Sequence, residues 1–264
     1  MDRRDFLKLS AASYFLSQLQ PALATPRTAI PGASTKRITF VLFENMTPLD
    51  LIGPMTLLQF SGYELEYVWH RTGTVKTEIE AVNLIANKRF DDITDTSVLC
   101  IPGTGNPYRT IEDRQLLAFL HRVGQRAEYV TSICTGAIIL AAAGLMHGYR
   151  ATTHWSMLDD LSRFGAIPLQ QRVVTDRNRI TGGGVTAGID FGLQLLAVLT
   201  SQHNAELAQL ITQYDPHPPF NAGSPQSASP AVVEAAKQRI FANVAQATPN
   251  YQQILTRAAN DAQG

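Results

Sequence analysis

Glu128-Tyr129-Val130-Thr131-Ser132-Ile133-Cys134-Thr135-Gly136-Ala137-Ile138-Ile139-Leu140-Ala141-Ala142-Ala143-Gly144 changes character at Cys134. Before it, a short apolar run rich in β-branched residues reads as a buried strand. After it, a small-residue and aliphatic run ended by Gly144 reads as a helix. A cysteine at a strand-to-helix corner is thrust out at the carboxyl end of a sheet, beside a helix N-terminus whose free N–H groups and dipole favour a thiolate. This is the arrangement of a nucleophile elbow. The same pattern, short apolar strand then helix, recurs on both sides and sets the fold class.

Upstream, 36–43 reads as a strand, 48–60 as a helix with Pro48 near its start, and 63–70 as a second strand. Residues 75–90 read as a hairpin or irregular strand pair, 97–101 as an apolar strand and 111–126 as an amphipathic helix. Downstream follow a helix at 153–164, a small strand at 166–169, and a hairpin of 172–175 and 179–182. Helices at 186–200 and 205–213 precede a Pro-rich loop and a terminal helix that Ser229 caps and Pro230 begins. Apolar, unalternating strands separated by helices predict an α/β fold, a three-layer sandwich around a mostly parallel sheet.

The chain has 264 residues, with 22 Lys and Arg against 22 Asp and Glu. This balance gives no support to a nucleic-acid or anionic-membrane partner and favours a small molecule. The first 24 residues carry Arg3-Arg4-Asp5-Phe6-Leu7-Lys8, a short apolar stretch interrupted by Ser17, Gln18 and Gln20, and the small-residue site Ala22-Leu23-Ala24. They read as an export signal of the twin-arginine type, too short and polar to span a bilayer, with 25–35 as a linker. A periplasmic location is expected. The two cysteines, Cys100 and Cys134, are expected to be free thiols, with a bridge between them as the alternative. The six histidines show no zinc-like spacing, so no metal is expected.

In a parallel sheet the reactive groups belong at the carboxyl ends of the strands. Three segments should meet there: the one carrying Asp50, the loop Pro102-Gly103-Thr104-Gly105, and Cys134-Thr135. Asp50 stands among Leu49, Leu51 and Ile52. Either burial raises its pKa and suits it to proton transfer, or it caps the helix beginning near Pro48.

With these residues in hand, the chain resembles the ThiJ/PfpI superfamily, whose fold is flavodoxin-like and of the class I glutamine amidotransferase-like type. Within it, the isonitrile hydratase branch is the most similar. The matching stretches are Pro48-Leu49-Asp50-Leu51-Ile52-Gly53-Pro54, Ile101-Pro102-Gly103, Ser132-Ile133-Cys134-Thr135-Gly136-Ala137 and Ala151-Thr152-Thr153-His154-Trp155. Two more, Gly184-Val185-Thr186-Ala187-Gly188-Ile189-Asp190-Phe191 and the stretch from Tyr214 to Gly223, are nearer to the hydratase branch.

The resemblance implies a cofactor-independent lyase that adds water to an isocyanide and releases an N-substituted formamide. Cys134 would attack to give a thioimidate, Asp50 would serve as acid and base, and the backbone N–H groups near Gly103, Thr104 and Thr135 would steady developing charge. Thr135 stands where protease-like members have His, so no dyad forms from adjacent residues. His154 matches a residue near the nucleophile in several relatives, where it either tunes the thiolate or satisfies a buried hydrogen bond. Thr104 departs from the second Gly of many relatives, which puts the shape of that loop in doubt. The α/β domain is expected to span 36–215, with 216–264 packing over the active site or across a homodimer. Other readings are a glyoxalase- or amidase-like enzyme and a non-catalytic binding module like that of AraC-type regulators. The tail here is too short for the DNA-binding region those regulators append.

Overall fold

The computed structural model describes residues 36–262. The export signal and linker expected at 1–24 and 25–35 lie outside the described residues. The chain runs through β1 (Arg37–Val41), α1 (Pro48–Leu58), β2 (Glu64–Trp69), β3 (Gly73–Lys76), β4 (Asn83–Ala86), β5 (Lys88–Arg89) and β6 (Val98–Ile101). It continues with α2 (Pro107–Thr110), α3 (Arg114–Gly124), β7 (Tyr129–Ile133), α4 (Gly136–Ala142), β8 (Arg150–Ala151), α5 (Asp160–Arg163) and β9 (Ile167–Pro168). Last come β10 (Val173–Asp176), β11 (Arg179–Gly182), α6 (Ala187–Leu199), α7 (Gln202–Ile211), α8 (Pro230–Ala247) and α9 (Tyr251–Asp261).

Seven strands make the central sheet in the order β10-β11-β7-β6-β1-β2-β5. Every neighbouring pair is parallel except the hairpin β10–β11 at one edge. β6 is buried along its whole length, as expected of a central strand covered on both faces. One helical layer is built from α1, α6 and α7, and the other from α3, α4, α2 and α9. β1 connects to β2 on one side while β6 pairs on its other side, so the crevice between the carboxyl ends of β1 and β6 is a topological switch point.

Three elements differ from the sequence-based expectation for identifiable reasons. The helix expected at 153–164 is a one-turn 3-10 segment at Trp155–Met157 followed by the short α5. Its first residues are held extended, because the Thr153 hydroxyl bonds the carbonyl of Cys134 at 2.8 Å and His154 caps the turn through Ser156. The helix expected at 111–126 begins at Arg114, where the Asp113 side chain accepts the Leu116 N–H at 3.0 Å. The terminal helix begins at Pro230 under a Ser229 cap, then breaks between α8 and α9 at Thr248-Pro249-Asn250. Pro249 cannot continue the helical hydrogen bonding there. The break turns α9 back onto the domain, where Ile254 and Leu255 are buried and Arg257 pairs with Glu112 at 2.8 Å.

Gly136, at the first turn of α4, lets that helix approach the end of β6. A Cβ there would lie 2.5 Å from the Ile101 carbonyl oxygen and 2.8 Å from that of Pro102. Both are backbone atoms that cannot move without displacing the loop that carries Gly103. Gly136→Ala is therefore expected to destabilise the fold by about 1–3 kcal/mol, the usual range for overpacking. Chemical denaturation of both proteins measures this, and equal midpoints would contradict the close approach.

Candidate active site

Cys134 follows β7 directly and adopts φ 54°, a left-handed conformation that a residue with a Cβ seldom takes. The surrounding bonds hold it there. Its N–H lies within hydrogen-bond reach of the carbonyls of Gly182 (3.0 Å) and Gly183 (2.9 Å), and its carbonyl accepts the Thr153 hydroxyl. The elbow is therefore present, with one correction: the residue is not exposed. Only 4% of Cys134 is accessible. Burial, and after it the neighbouring Asp50 charge, push the thiol well above its ordinary range, while the backbone N–H groups of Val185 and Thr135 pull the other way. The resting sulfur is a thiol. Helix position alone predicted a thiolate, and desolvation outweighs it.

Asp50 lies in the first turn of α1, yet it does not cap that helix. Thr47 holds the N-cap position, and the Asp50 carboxyl crosses the crevice to accept the Gly103 N–H at Oδ2, 2.9 Å away. Its other oxygen, Oδ1, is buried without a hydrogen-bond partner. The side chain interacts with the Cys134 thiol, although no hydrogen bond of regular geometry forms between them at rest. Burial raises the Asp50 pKa from the ordinary 3.8 to about 7, against the pull of the Gly103 N–H and the thiol; the Glu78 charge adds to the rise. A carboxyl with one unpartnered oxygen beside a nucleophile, titrating near neutrality, suits proton transfer.

The remaining expected residues have these surroundings. Thr135 Oγ1 donates to the Thr104 carbonyl at 2.7 Å and accepts the Thr104 N–H at 2.8 Å, so it clamps the loop after β6 to the elbow. It is a positioning residue. The N–H groups of Gly103 and Thr104, expected to steady developing charge, are both engaged, by Asp50 and by Thr135. The backbone N–H groups that favour charge on the sulfur are those of Val185 and Thr135. Val185 was missed in the sequence, because a backbone donor carries no side-chain signature; the run Gly182-Gly183-Gly184 before it was the available signal.

His154 is half-buried. Its Nδ1 accepts the Ser156 N–H at 3.4 Å and meets the Ser156 hydroxyl at 2.8 Å, which places the ring proton on Nε2. Burial lowers its pKa and keeps the ring neutral. His154 also lines a cavity of about 360 Å³ whose walls include Thr153, Trp155, Leu158, Gly184, Val185 and the tail segment 223–226. Cys100 and Cys134 are both free. Among the described residues, no three His, Cys, Asp or Glu side chains gather so as to hold a metal ion, and no helix is long and apolar enough to cross a membrane.

Fold and site together define an α/β protein with a cysteine at a nucleophile elbow and a carboxyl across the sheet's switch point. The model of the DJ-1/PfpI family matches residues 36–198, and the chain belongs to that family. It is 43% identical to an isonitrile hydratase of Pseudomonas putida over 204 residues, 77% of this chain and 89% of that protein. A crystal structure of a ThiJ/PfpI family protein from Pseudomonas syringae superposes with a TM-score of 0.78 at 38% identity, covering 90% of this chain and 96% of that one. The family reaches beyond enzymes. The HTH-type transcriptional regulator GbdR of Pseudomonas aeruginosa is 28% identical over 67% of this chain, which spans 49% of the regulator's length.

The Asp50 shift carries a stability consequence with a definite sign. A carboxyl whose pKa is higher folded than unfolded favours the fold at low pH, and that favour is lost as pH rises from 3.8 to about 7. The loss amounts to something on the order of 4 kcal/mol. Asn at this position still accepts the Gly103 N–H but never ionises. The thermal midpoint of Asp50→Asn minus that of the unchanged protein should therefore climb through this window and level off above it. Parallel melting curves across the window would contradict a buried, raised Asp50.

Proposed function

We propose that this protein hydrates isocyanides to N-substituted formamides, with Cys134 as nucleophile and Asp50 as the proton shuttle. The observation that carries the reading is the buried Asp50–Cys134 pair, and the identity to an isonitrile hydratase supports it. Above about pH 7 the pair holds one proton beyond the doubly ionised state. The Asp50 carboxylate takes the thiol proton and delivers it to the isocyanide carbon as the sulfur bonds to that same carbon, giving a thioimidate, R–N=CH–S–Cys134. Water then adds at the carbon. Asp50 takes a proton from the water and returns one to the nitrogen, and the resulting tetrahedral R–NH–CH(OH)–S–Cys134 collapses. The carbon–sulfur bond breaks, the hydroxyl proton passes through Asp50 to the sulfur, and R–NH–CHO leaves with the thiol restored. The N–H groups of Val185 and Thr135 steady the sulfur whenever it carries charge.

His154 has no part in this shuttle. Its Nδ1 is committed to Ser156. The nucleophile's only titrating partner in this reading is Asp50, in keeping with Thr at position 135. We further infer that the chain reaches the periplasm through its paired Arg3-Arg4. Arg3→Lys with Arg4→Lys should strand the precursor in the cytoplasm, and unchanged fractionation of the double variant would refute that route.

Incubation with cyclohexyl isocyanide and, separately, with methylglyoxal distinguishes formamide formation from a glyoxalase-like activity that would yield lactate. Formamide is expected. Cys134→Ala should lower turnover by about a thousandfold or more. Because the reactive form is the one-proton state of the pair, kcat/KM should rise about tenfold per pH unit below neutrality and flatten above about 7. Lactate without formamide, or a Cys134→Ala protein with more than about a tenth of the original turnover, would refute the covalent hydratase.

A further inference from the structure

The chemistry above consumes the isocyanide group and leaves its N-substituent unplaced. The cavity of about 360 Å³ lies directly behind the nucleophile's support. Its inner wall includes Thr153, whose hydroxyl holds the Cys134 carbonyl at 2.8 Å, and Val185, whose backbone N–H favours charge on the sulfur. Trp155 and Leu158 supply apolar surface on one side. The outer wall comes from a distant part of the chain, Gly223, Ser224, Pro225 and Gln226 of the tail.

That tail is tied to the domain at its start and folded on itself where it lines the cavity. At its start, the Tyr214 hydroxyl donates to Asp190 Oδ2 at 3.2 Å. Arg172 Nε, on the cavity wall, donates to the same carboxylate oxygen, while its Nη2 donates to the Thr186 carbonyl at 3.1 Å. At the far end, Ser224 and Ser227 close a tight turn through their hydroxyls at 3.0 Å, and Ser229 caps α8. A proline-containing wall closed by a tight turn has little freedom to lose when a ligand packs against it. A concave, part-apolar space that shares Thr153 and Val185 with the nucleophile's surroundings is where a substituent can lose its water.

We propose that residues 223–226 form the outer wall of the subsite that holds the N-substituent of the isocyanide, with the Tyr214–Asp190–Arg172 cluster positioning that wall. The tail then sets how large a substituent is accepted. This rests on the hydratase reading, and the experiment separates the two.

A Cβ at Gly223 meets no heavy atom within 4 Å, so Gly223→Phe places a ring at the wall without a backbone clash. It should lower kcat/KM for cyclohexyl isocyanide about tenfold or more while that for methyl isocyanide stays within about twofold. Tyr214→Phe loosens the wall by one hydroxyl, far from the reacting atoms. It should raise KM for the cyclohexyl substrate about threefold to tenfold, with kcat and the methyl substrate unchanged. A merely structural role would shift both substrates alike. Equal effects on the two substrates in both variants, or no effect in either, overturn the proposal.

A second readout does not depend on turnover. Trp69 lies in a separate cleft with His70 and Arg109, so a Trp69→Phe background leaves Trp155 as the reporter. N-cyclohexylformamide should change its fluorescence, and Gly223→Phe should weaken that response about tenfold. If the unchanged protein hydrates no isocyanide, the hydratase reading fails by itself. The titration then decides: a response sensitive to Gly223→Phe supports a substituent-binding cavity walled by the tail, and a flat titration refutes it.

Discussion

The Asp50 carboxyl, with no accessible surface, reaches across the crevice between β1 and β6 to the N–H of Gly103 and turns its free oxygen into a buried space. Burying such a group is unfavourable unless it stays neutral or is paired, and it has only one fixed donor. The rest of the site is arranged around that imbalance. A second hydrogen bond to the carboxyl would depress its pKa toward that of an ordinary acid, where it could no longer take and return protons near neutrality. One bond orients it and leaves burial to set its proton affinity. The thiol opposite responds to the same charge: the Asp50 carboxylate raises the cost of ionising Cys134, whereas the thiol, as a donor, favours the carboxylate.

Holding these groups in register falls largely to threonines. Thr135 bonds both the N–H and the carbonyl of Thr104, replacing in one side chain the pair of bonds a neighbouring strand would make. Thr104 donates its own hydroxyl to the Asn45 carbonyl at 2.7 Å and so ties the loop after β6 to the loop after β1. Thr153 fixes the carbonyl of Cys134, and Thr152 accepts a place beside it by donating its hydroxyl to Gln171. A β-branched hydroxyl is stiff about χ1 and can both donate and accept, which suits a site that must stay ordered. The left-handed Cys134 is over-determined by these bonds, which is the condition under which local strain persists.

The sheet was legible in the sequence because its strands are short, apolar and bounded by turns, and Cys134 was legible because a helix begins immediately after one of them. The side chain of Asp50 was legible only as an alternative between cap and acid. The choice depended on Gly103, a residue 53 positions away that local pattern does not connect to it. The thiolate that the helix N-terminus favoured was outweighed for the same reason. Helix dipoles act within one turn and can be read locally, whereas desolvation sums over every element that closes on the residue. The single helix expected at 153–164 failed because Thr153 and His154 answer to Cys134 and Ser156, contacts that outweigh helix propensity. The tail carried no periodicity, so its route past the cavity could not be read from pattern.

Threonine at 135 and a histidine turned toward Ser156 leave the site without a basic partner for sulfur other than a carboxyl. A histidine beside a cysteine tends to yield a thiolate–imidazolium pair, which provides a strong nucleophile and keeps its proton on nitrogen. A carboxyl of raised pKa beside a thiol of raised pKa does something else: the proton stays with the pair and is given up only when a new acceptor arrives. An isocyanide carbon is such an acceptor, since it must gain both a proton and a nucleophile at one atom. In this reading the unusual substrate and the missing imidazole are one feature. Under the proposed reaction the site would hold a transferable proton next to the sulfur, so that carbon–hydrogen and carbon–sulfur bonds form at the same carbon without a free charge standing in a buried space.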